Sequence, residues 1–319
     1  MHYILDCDTG IDDALAIICL LRFIQKDPLA HLLGITASYG NVTMEQSARN
    51  SRAVLSLFGR DNIPVYPGAE HVLGMRSFEV PPAVTFIHGH NGLADQQIPD
   101  SPVKAKQMPA ETFMARAVAK YGSDLMIIAT GALTNLADAL RNHPTMAHKV
   151  GKIVLMATAV TVPGSVNAWT EANVGTDPQS ASEVLSSGAP LVIVGRDVTT
   201  TTLLTRSTVE EWKKVGTSRA RFVSAICEWY IHTYEMNFPG IAGCYISDPT
   251  AVTVACYPQL VTQTLDRHLR VELTGPTRGR TICDPAFSPD PDPRTQIVLR
   301  LNNEKYNAVF EEAIRAMIV

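Results

Sequence analysis

Residues 5–16 read Leu5-Asp6-Cys7-Asp8-Thr9-Gly10-Ile11-Asp12-Asp13-Ala14-Leu15-Ala16, and this stretch decides the fold. Four carboxylates fall within eight residues, between a short apolar run that includes Tyr3-Ile4-Leu5 and a long apolar run. The short run is typical of a buried strand, and residues 12–22 repeat their apolar side chains at helical spacing. The acids therefore lie in a strand-to-helix turn, where Gly10 permits the unusual backbone angles of a tight turn.

The four acids are placed to converge. Asp6 and Asp8 are two residues apart, so in an extended chain both side chains point to the same side. Asp12 and Asp13 fall in the first helical turn, where the helix dipole favours anions. Carboxylates this close repel one another unless a divalent cation holds them, and oxygen-only ligands suit calcium or magnesium. A helix cap would explain Asp12 and leave three acids unexplained, so the sequence favours a metal site.

The same residues resemble the N-terminal motif DxDxxxDDxxA of nucleoside hydrolases of the inosine-uridine type. Five further segments resemble the family's motifs in the family's order and span nearly the whole chain: Gly40-Asn41-Val42-Thr43, Ile87-His88-Gly89-His90-Asn91-Gly92, Ala129-Thr130-Gly131-Ala132-Leu133-Thr134-Asn135-Leu136-Ala137, Glu171-Ala172-Asn173 and Asp248-Pro249. An ordered set is more specific than any one of its members. The resemblance implies hydrolysis of the N-glycosidic bond of a ribonucleoside, with release of free base and ribose.

Composition excludes several other classes of protein. The 319 residues, 46% of them hydrophobic, can bury one large core. A net charge of −4 gives no basic surface for nucleic acid, and no apolar run reaches membrane-spanning length. The six cysteines lack the close pairs of zinc sites or disulfide frameworks, and no cleavable signal segment is evident. We therefore expect a cytoplasmic protein that binds neither nucleic acid nor membranes.

Short apolar runs alternate with helix-length segments, which predicts an α/β fold with a mainly parallel sheet flanked by helices. The predicted strands are residues 32–37, 124–129, 152–156, 190–194, 268–273 and 295–301. Thr43 and Gln46 predict a capping box for a helix through Leu57. Residues 207–234 are expected to be helical beside the crevice, and 284–294 to form a loop. The resemblance implies a single open domain, residues 1–319.

In such a sheet, ligands bind beyond the carboxyl ends of the strands, where Asp8, Asn41 and Thr130 fall. The resemblance implies that calcium is held by Asp8, Asp13, Asp248 and the backbone carbonyl of Thr130. Asp8 would also be the general base for a water activated by the ion.

The resemblance also assigns the substrate contacts. The ribose hydroxyls would be bound by Asp12, Asn41, Glu171 and Asn173, with Met156 and Asn167 nearby. The leaving base would face His88, Tyr230 and Tyr234. The nucleoside is the expected small-molecule partner, and a homodimer or homotetramer is the expected assembly.

Several of these residues also fit a plainer interpretation. Asn41 and Asn173 could stabilise turns through their own backbones, and Met156 could pack in the core. His88 could be a solvated loop residue. Tyr230 and Tyr234, with Trp229, could pack as a helix face, and Asp177-Pro178 predicts a helix start and not a site.

Ser247 departs from the family pattern, which often has a histidine there to protonate a departing purine. Serine is no acid near neutral pH. Ribosides with activated leaving groups should therefore react well, and purine nucleosides should lag by about two to four orders of magnitude unless His88, His232 or a tyrosine donates the proton. Glu171-Ala172-Asn173 also lacks the usual phenylalanine, and Ala157 and Thr158 replace expected glycines. The altered positions leave the preferred base open.

Two other classes of protein remain open at this point. Asp6-Cys7-Asp8-Thr9 resembles the first motif of haloacid-dehalogenase-type phosphatases, but the threonine stands one place early and no late acidic pair follows. A catalytically weak nucleoside- or sugar-binding relative would keep the metal site and lose leaving-group chemistry at Ser247. Phosphate release from a phosphomonoester would favour the first class, and tight binding without ribose release would favour the second.

Overall fold

The computed structural model describes residues 1–283 and 295–319, and in this part of the chain an eight-stranded sheet lies between two layers of helices. The strands lie in the order β3 (Val65–Pro67), β2 (His31–Ala37), β1 (His2–Cys7), β4 (Leu125–Ala129), β5 (Lys152–Leu155), β6 (Leu191–Ile193), β12 (Thr295–Leu301) and β9 (Val261–Asp266). Neighbouring strands are parallel except β9, which runs antiparallel to β12. The predicted mainly parallel sheet flanked by helices is confirmed.

Two small antiparallel sheets accompany the main one, namely β7 (Leu203–Thr205) with β8 (Gly243–Tyr245) and β10 (Leu269–Val271) with β11 (Thr281–Cys283). The described α-helices are α1 (Ile11–Lys26), α2 (Met44–Leu57), α3 (Pro82–His88), α4 (Ala110–Tyr121), α5 (Thr134–Asn142), α6 (Met146–Lys149), α7 (Ala172–Thr176), α8 (Pro178–Leu185), α9 (Arg196–Thr199), α10 (Arg206–Lys213), α11 (Ser218–Asn237), α12 (Ser247–Cys256) and α13 (Asn303–Ile318). None of these helices is both long enough and apolar enough to cross a membrane.

A separate hydrophobic core covers each face of the main sheet. One core joins α1, α2, α11, α12 and α13 to the sheet, and the other joins α4, α5, α6 and α8. Helix α1 is buried from Ile11 through Leu21, so it lies among other helices and not at the surface. Each fully buried large apolar side chain contributes about 1.5–3 kcal/mol, and this burial fixes the position of the acids at the start of α1.

Several elements differ from their predicted form. Thr43 caps α2 by accepting a hydrogen bond from the Gln46 backbone at 3.3 Å, but the Gln46 side chain donates to Asn50 Oδ1 at 2.8 Å, so the capping box is only half formed. The predicted helical segment 207–234 is two helices, α10 and α11, with Gly216 between them at a φ of 75°.

The late segments of the chain also differ in part from prediction. Within 268–273, strand β10 forms, but it pairs with β11 outside the main sheet. Strand β12 confirms the prediction for 295–301. The predicted loop at 284–294 lies outside the described residues.

The strand order reverses beside β1. The first crossover leads from β1 to β2 on one side, and β4 pairs with β1 on the other. A crevice forms at such a reversal, beyond the carboxyl ends of the strands, and ligands of open α/β sheets bind there. Asp8, Asn41 and Thr130 follow the ends of β1, β2 and β4, so the topology gathers them at one place.

Candidate active site

Three carboxylates meet at this crevice. Asp12 and Asp13 lie in the first turn of α1 and Asp248 in the first turn of α12, and each offers an oxygen within 4.8 Å of the others. All three are buried. Burial raises the pKa of Asp13 and Asp248, and the negative charge of Asp12 raises both further. Such a cluster requires a compensating positive charge to stay ionised at neutral pH.

The donor set fits a hard divalent cation. Asp12 Oδ2 accepts a hydrogen bond from the Tyr230 hydroxyl at 3.2 Å, whereas Asp12 Oδ1 is buried and has no partner among residues 1–283 and 295–319. A buried carboxylate oxygen without a donor is costly unless an ion or ligand contacts it. Because oxygen atoms alone converge here, the residues fit calcium or magnesium better than zinc.

Asp8 is fixed beside this cluster by the loop that follows β2. Its Oδ2 accepts from the Asn41 backbone at 2.7 Å and its Oδ1 from Asn41 Nδ2 at 3.2 Å, and the same amide donates to Asp13 Oδ2 at 3.0 Å. A Cβ at Gly40 would lie 2.0 Å from Asp8 Oδ2, and Gly40 has a φ of 154°. The loop can therefore approach Asp8 only because residue 40 is glycine.

Thr130 connects the cluster to the end of β4. Its hydroxyl donates to Asp13 Oδ1 at 2.7 Å, and its backbone N–H donates to the Asp6 carbonyl at 2.8 Å. The Thr130 carbonyl accepts from Asn173 Nδ2 at 2.7 Å. A carbonyl oxygen has two lone pairs, so Thr130 can still serve as a metal ligand.

Asp6 does not join the other acids, although two-residue spacing predicted that it would point the same way as Asp8. Strand β1 ends at Cys7, so Asp8 has already left the pleat. Asp6 Oδ1 accepts from Thr36 Oγ1 at 2.6 Å and from Asn135 Nδ2 at 2.8 Å. Burial raises the Asp6 pKa to about 6. Asp6 therefore links strands and helices below the site.

Gly10 also has a different role from the predicted one. Its φ of −90° is available to any residue, so the turn requires no special backbone angle. A Cβ at this position would lie 2.6 Å from His88 Nδ1 and 2.8 Å from Asn41 Nδ2. Glycine is required because His88 and Asn41 approach the start of α1 closely.

A cavity of about 150 Å³ adjoins the carboxylates. Its lining brings together predicted residues from distant parts of the chain, namely Asp12, Asn41, His88, Thr130, Met156, Glu171, Asn173, Tyr230, Tyr234, Ser247 and Asp248. Asp8 and Asp13 are buried next to this lining and are joined to it through Asn41. The plainer interpretations of Asn41, Asn173 and His88 as isolated turn or loop residues do not account for this convergence.

Glu171 and Asn173 form one wall of the cavity. Glu171 caps α7, and its carboxylate accepts from the backbone of Asn173 at 2.9 Å, Val174 at 3.1 Å and Thr158 at 3.0 Å. Burial raises the Glu171 pKa, and these three N–H groups act in the opposite direction. Asn173 Nδ2 also donates to the Met156 carbonyl at 2.8 Å, so it ties α7 to the end of β5.

His88 and two tyrosines form the opposite wall. His88 ends α3, and its Nδ1 accepts from the Ile11 backbone at 3.1 Å. Burial lowers the His88 pKa to about 4, so at neutral pH the ring is uncharged and its proton lies on Nε2. Tyr230 lies against both His88 and Tyr234, with ring centroids 5.6 Å and 4.9 Å away. Burial raises the pKa of both tyrosines.

Asn167 and His232, considered from the sequence as site residues, lie outside the cavity lining. Asn167 is exposed, and its Oδ1 accepts from the backbones of Trp169 at 2.8 Å and Thr170 at 2.9 Å. His232 is exposed on α11. Trp229 donates from its indole to the Ile87 carbonyl at 3.0 Å and so links α11 to α3. Asp177 starts α8 by accepting from the Ser180 backbone, as predicted.

Sequence reasoning missed two polar residues of the lining, Arg196 and Ser165. Arg196 comes shortly after the end of β6, so its place beyond the carboxyl end of a predicted strand was an available signal. A larger groove, about 670 Å³, lies between α10 and α13. There Glu312 is already paired with Arg22 and Lys26. The lining of this groove includes none of Asp12, Asp13 and Asp248.

Comparison with known proteins agrees with this geometry. The family model described as "Inosine-uridine preferring nucleoside hydrolase" matches residues 3–308. The chain belongs to this family. It is an N-glycosidic hydrolase of the ribonucleoside hydrolase class, as its relatives are named.

Relatives of this nucleoside hydrolase carry names for different bases. "Uridine nucleosidase 1" of Arabidopsis thaliana is 33% identical over 88% of this chain and 81% of that protein. "Pyrimidine-specific ribonucleoside hydrolase RihA" of Enterobacter sp. is 30% identical over 98% and 96%. The solved "Purine-Preferring Ribonucleoside Hydrolase from Gardnerella vaginalis" is 43% identical, covers 100% of this chain and 99% of its own, and superposes with a TM-score of 0.96.

Proposed function

We propose that this nucleoside hydrolase cleaves ribonucleosides with calcium held by Asp8, Asp13, Asp248 and the Thr130 carbonyl. The observation that carries the proposal is the buried cluster of Asp12, Asp13 and Asp248 beside a cavity at the reversal of strand order, in which Asp12 Oδ1 has no partner among residues 1–283 and 295–319. Asp8 adjoins this cluster through Asn41, which donates to both Asp8 and Asp13. When bound, the ion would supply positive charge that lowers the pKa of water.

Asp8 is proposed as the general base. Its two oxygens are oriented by Asn41, and a positioned carboxylate can take a proton from water as the water attacks C1′ of the ribose. The developing ribosyl cation is oxocarbenium-like, and attack from the face opposite the base would invert C1′. Four acids around that carbon also favour the positive charge that builds there.

Ribose binding is proposed for Asp12, Asn41, Glu171 and Asn173, with Met156 packed beside them. Each lines the cavity within reach of the carboxylate cluster. A missing hydroxyl would leave these buried polar groups unpaired, which penalises deoxyribosides strongly. We leave Asn167 out of this contact because its Oδ1 already serves two backbone N–H groups.

The assay that tests the proposal is release of reducing sugar from a panel of nucleosides. We expect ribose release from wild type, and a fall of several orders of magnitude for Asp8→Asn, because that change removes both the base and a metal ligand. Asp27→Asn, at an exposed residue after α1, is the matched control and should keep full activity. Near-normal turnover by a folded Asp8→Asn protein would overturn the proposed mechanism.

The same panel separates the two alternative classes. Phosphate release from phosphomonoesters would indicate a phosphatase, and tight nucleoside binding without ribose release would indicate a catalytically weak relative. We also propose a cytoplasmic homodimer or homotetramer, supported by the resemblance to the family. Light scattering on the purified protein measures the mass of the assembly directly.

A further inference from the structure

Arg196 is the one permanently charged cation among the described residues that line the cavity. It is the first residue of α9, and its Nε donates to the Pro163 carbonyl at 3.0 Å, which anchors the guanidinium. Within residues 1–283 and 295–319, its two terminal nitrogens have neither a hydrogen-bond nor an ion-pair partner. These N–H donors are therefore available to a ligand in the cavity.

Glu171 does not neutralise the charge of Arg196. Its carboxylate already accepts three backbone N–H bonds, and it forms no ion pair with Arg196 among the described residues. The Arg196 charge does lower the pKa of Glu171, and also that of Tyr234, against the larger effect of burial. Arg196 therefore lies near both the proposed ribose wall and the proposed base wall.

Apart from Arg196, the described residues that line the cavity include no lysine or arginine. Ser247 stands in the family's histidine position, and His88, the one histidine of the described lining, already accepts from the Ile11 backbone through Nδ1 at 3.1 Å. A base that leaves without a proton carries negative charge. A fixed cation can stabilise that charge without titrating.

We propose that Arg196 receives the departing base, an inference that rests on the proposed ribonucleoside hydrolysis. As the C1′–N bond breaks, its electron pair stays on the ring nitrogen, and the water oxygen forms the new bond to C1′. Asp8 takes one proton of that water. The base leaves as an anion hydrogen-bonded to the Arg196 guanidinium, and it takes its proton from solvent after release.

The chemistry of a guanidinium defines the bases that fit. Its paired N–H donors match acceptor atoms such as O6 and N7 of a 6-oxopurine or a carbonyl oxygen of uracil. The amino group of adenine offers a donor at that place and fits poorly. A 5′-phosphate is the less favoured partner, because Asp12, Asp248 and Glu171 line the same cavity and would repel a phosphate dianion more strongly than the singly charged base.

The test measures kcat/KM of wild type, Arg196→Met and Arg196→Lys for inosine, adenosine and p-nitrophenyl riboside. Arg196→Met should lower the inosine value by about 100-fold, mainly in kcat, since a fixed donor to a developing anion typically has this effect. The nitrophenyl riboside value should fall by less than about 5-fold, because nitrophenolate is a stable anion that needs little help. Arg196→Lys should restore part of the inosine rate. In Arg196→Met, kcat/KM should fall less for adenosine than for inosine.

The matched control is Arg280→Met, which removes an arginine that stacks on Trp169 near the same loop but does not line the cavity. It should leave the ratio of inosine to nitrophenyl riboside unchanged. Equal losses for all three substrates in Arg196→Met would mean that Arg196 only holds the structure, and would overturn the inference. Faster hydrolysis of inosine 5′-monophosphate than of inosine, lost in the same variant, would also overturn it. A wild type that releases no ribose from any substrate would instead refute the proposed function.

Discussion

Thr158 stands at a costly backbone position beside the cavity. Its φ of 80° is rare for a branched side chain, and its buried Oγ1 has no partner in the described part of the chain. In this conformation its N–H donates to Glu171 Oε2 at 3.0 Å. The position therefore stores strain at the end of the cavity where ribose binding is proposed.

Replacing Thr158 by glycine should relieve that strain. We expect Thr158→Gly to raise the free energy of unfolding by about 1 kcal/mol, because glycine adopts positive φ freely and the unpartnered hydroxyl is lost. Ala157→Gly, one residue earlier and at negative φ, should lower it by a similar amount. Urea unfolding of both variants measures the difference, and a loss of stability in both would contradict this explanation of Thr158.

The cap of α2 gives a prediction at the scale of an element. Thr43 is exposed and accepts from the Gln46 backbone, so Thr43→Ala should lower the free energy of unfolding by about 0.5–1 kcal/mol. Thr43→Ser keeps the acceptor oxygen and should stay close to wild type. Thermal unfolding of the pair isolates the cap, and an equal loss in both variants would show that the methyl group matters instead.

Elements that form because of the residues within them could be predicted from the sequence. Elements that depend on contacts with distant parts of the chain could not. Strands β1, β2, β4, β5, β6 and β12 and helix α1 follow from apolar runs and their spacing. The pairing of β10 with β11 depends on a contact that no periodicity encodes. Gln46 leaves the capping box because Asn50 offers its side chain an acceptor at 2.8 Å.

The candidate site shows the same division. Asp8, Asp12 and Asp13 could be singled out because they crowd one strand-to-helix turn, and Asp248 because Asp248-Pro249 resembles a family motif. Asp6 could not be separated from them, since its exclusion depends on where β1 ends and on donors from Thr36 and Asn135. Arg196 was missed although it comes shortly after the predicted strand 190–194, because that position alone does not indicate a role, and only the assembled cavity shows it beside Glu171.

At the scale of the whole molecule, the strand order makes the site possible. The reversal at β1 opens a crevice into which α1, α12, α7 and the loop after β2 each bring a polar group. The result is a buried group of acids that folding brings together against their repulsion. The stability of the entire chain should therefore depend on whether a cation compensates them.

The dependence of stability on pH follows from the direction of the pKa shifts. Burial raises the pKa of Asp8, Asp12, Asp13 and Asp248 in the metal-free protein. A carboxyl with a raised pKa binds more protons in the folded state than in the unfolded state, so its stabilising effect is present at low pH and is lost as pH rises through the folded pKa. The proposed calcium ion would reverse this, because a bound cation favours the ionised form.

The thermal unfolding midpoint of the metal-free protein should therefore decrease as the pH is raised from 5 to 8. With saturating calcium, this decrease should largely disappear. The increase in the unfolding midpoint on adding calcium should thus grow with pH and reach several degrees at pH 8. Zinc should give a smaller increase, because the ligands are all oxygen atoms. Asp248→Asn is the decisive variant. It removes one repelling charge and one ligand, so it should flatten the metal-free pH dependence and weaken the response to calcium together. A metal-free midpoint that rises toward pH 8, or a calcium response unchanged in Asp248→Asn, would mean that these acids are not compensated by an ion.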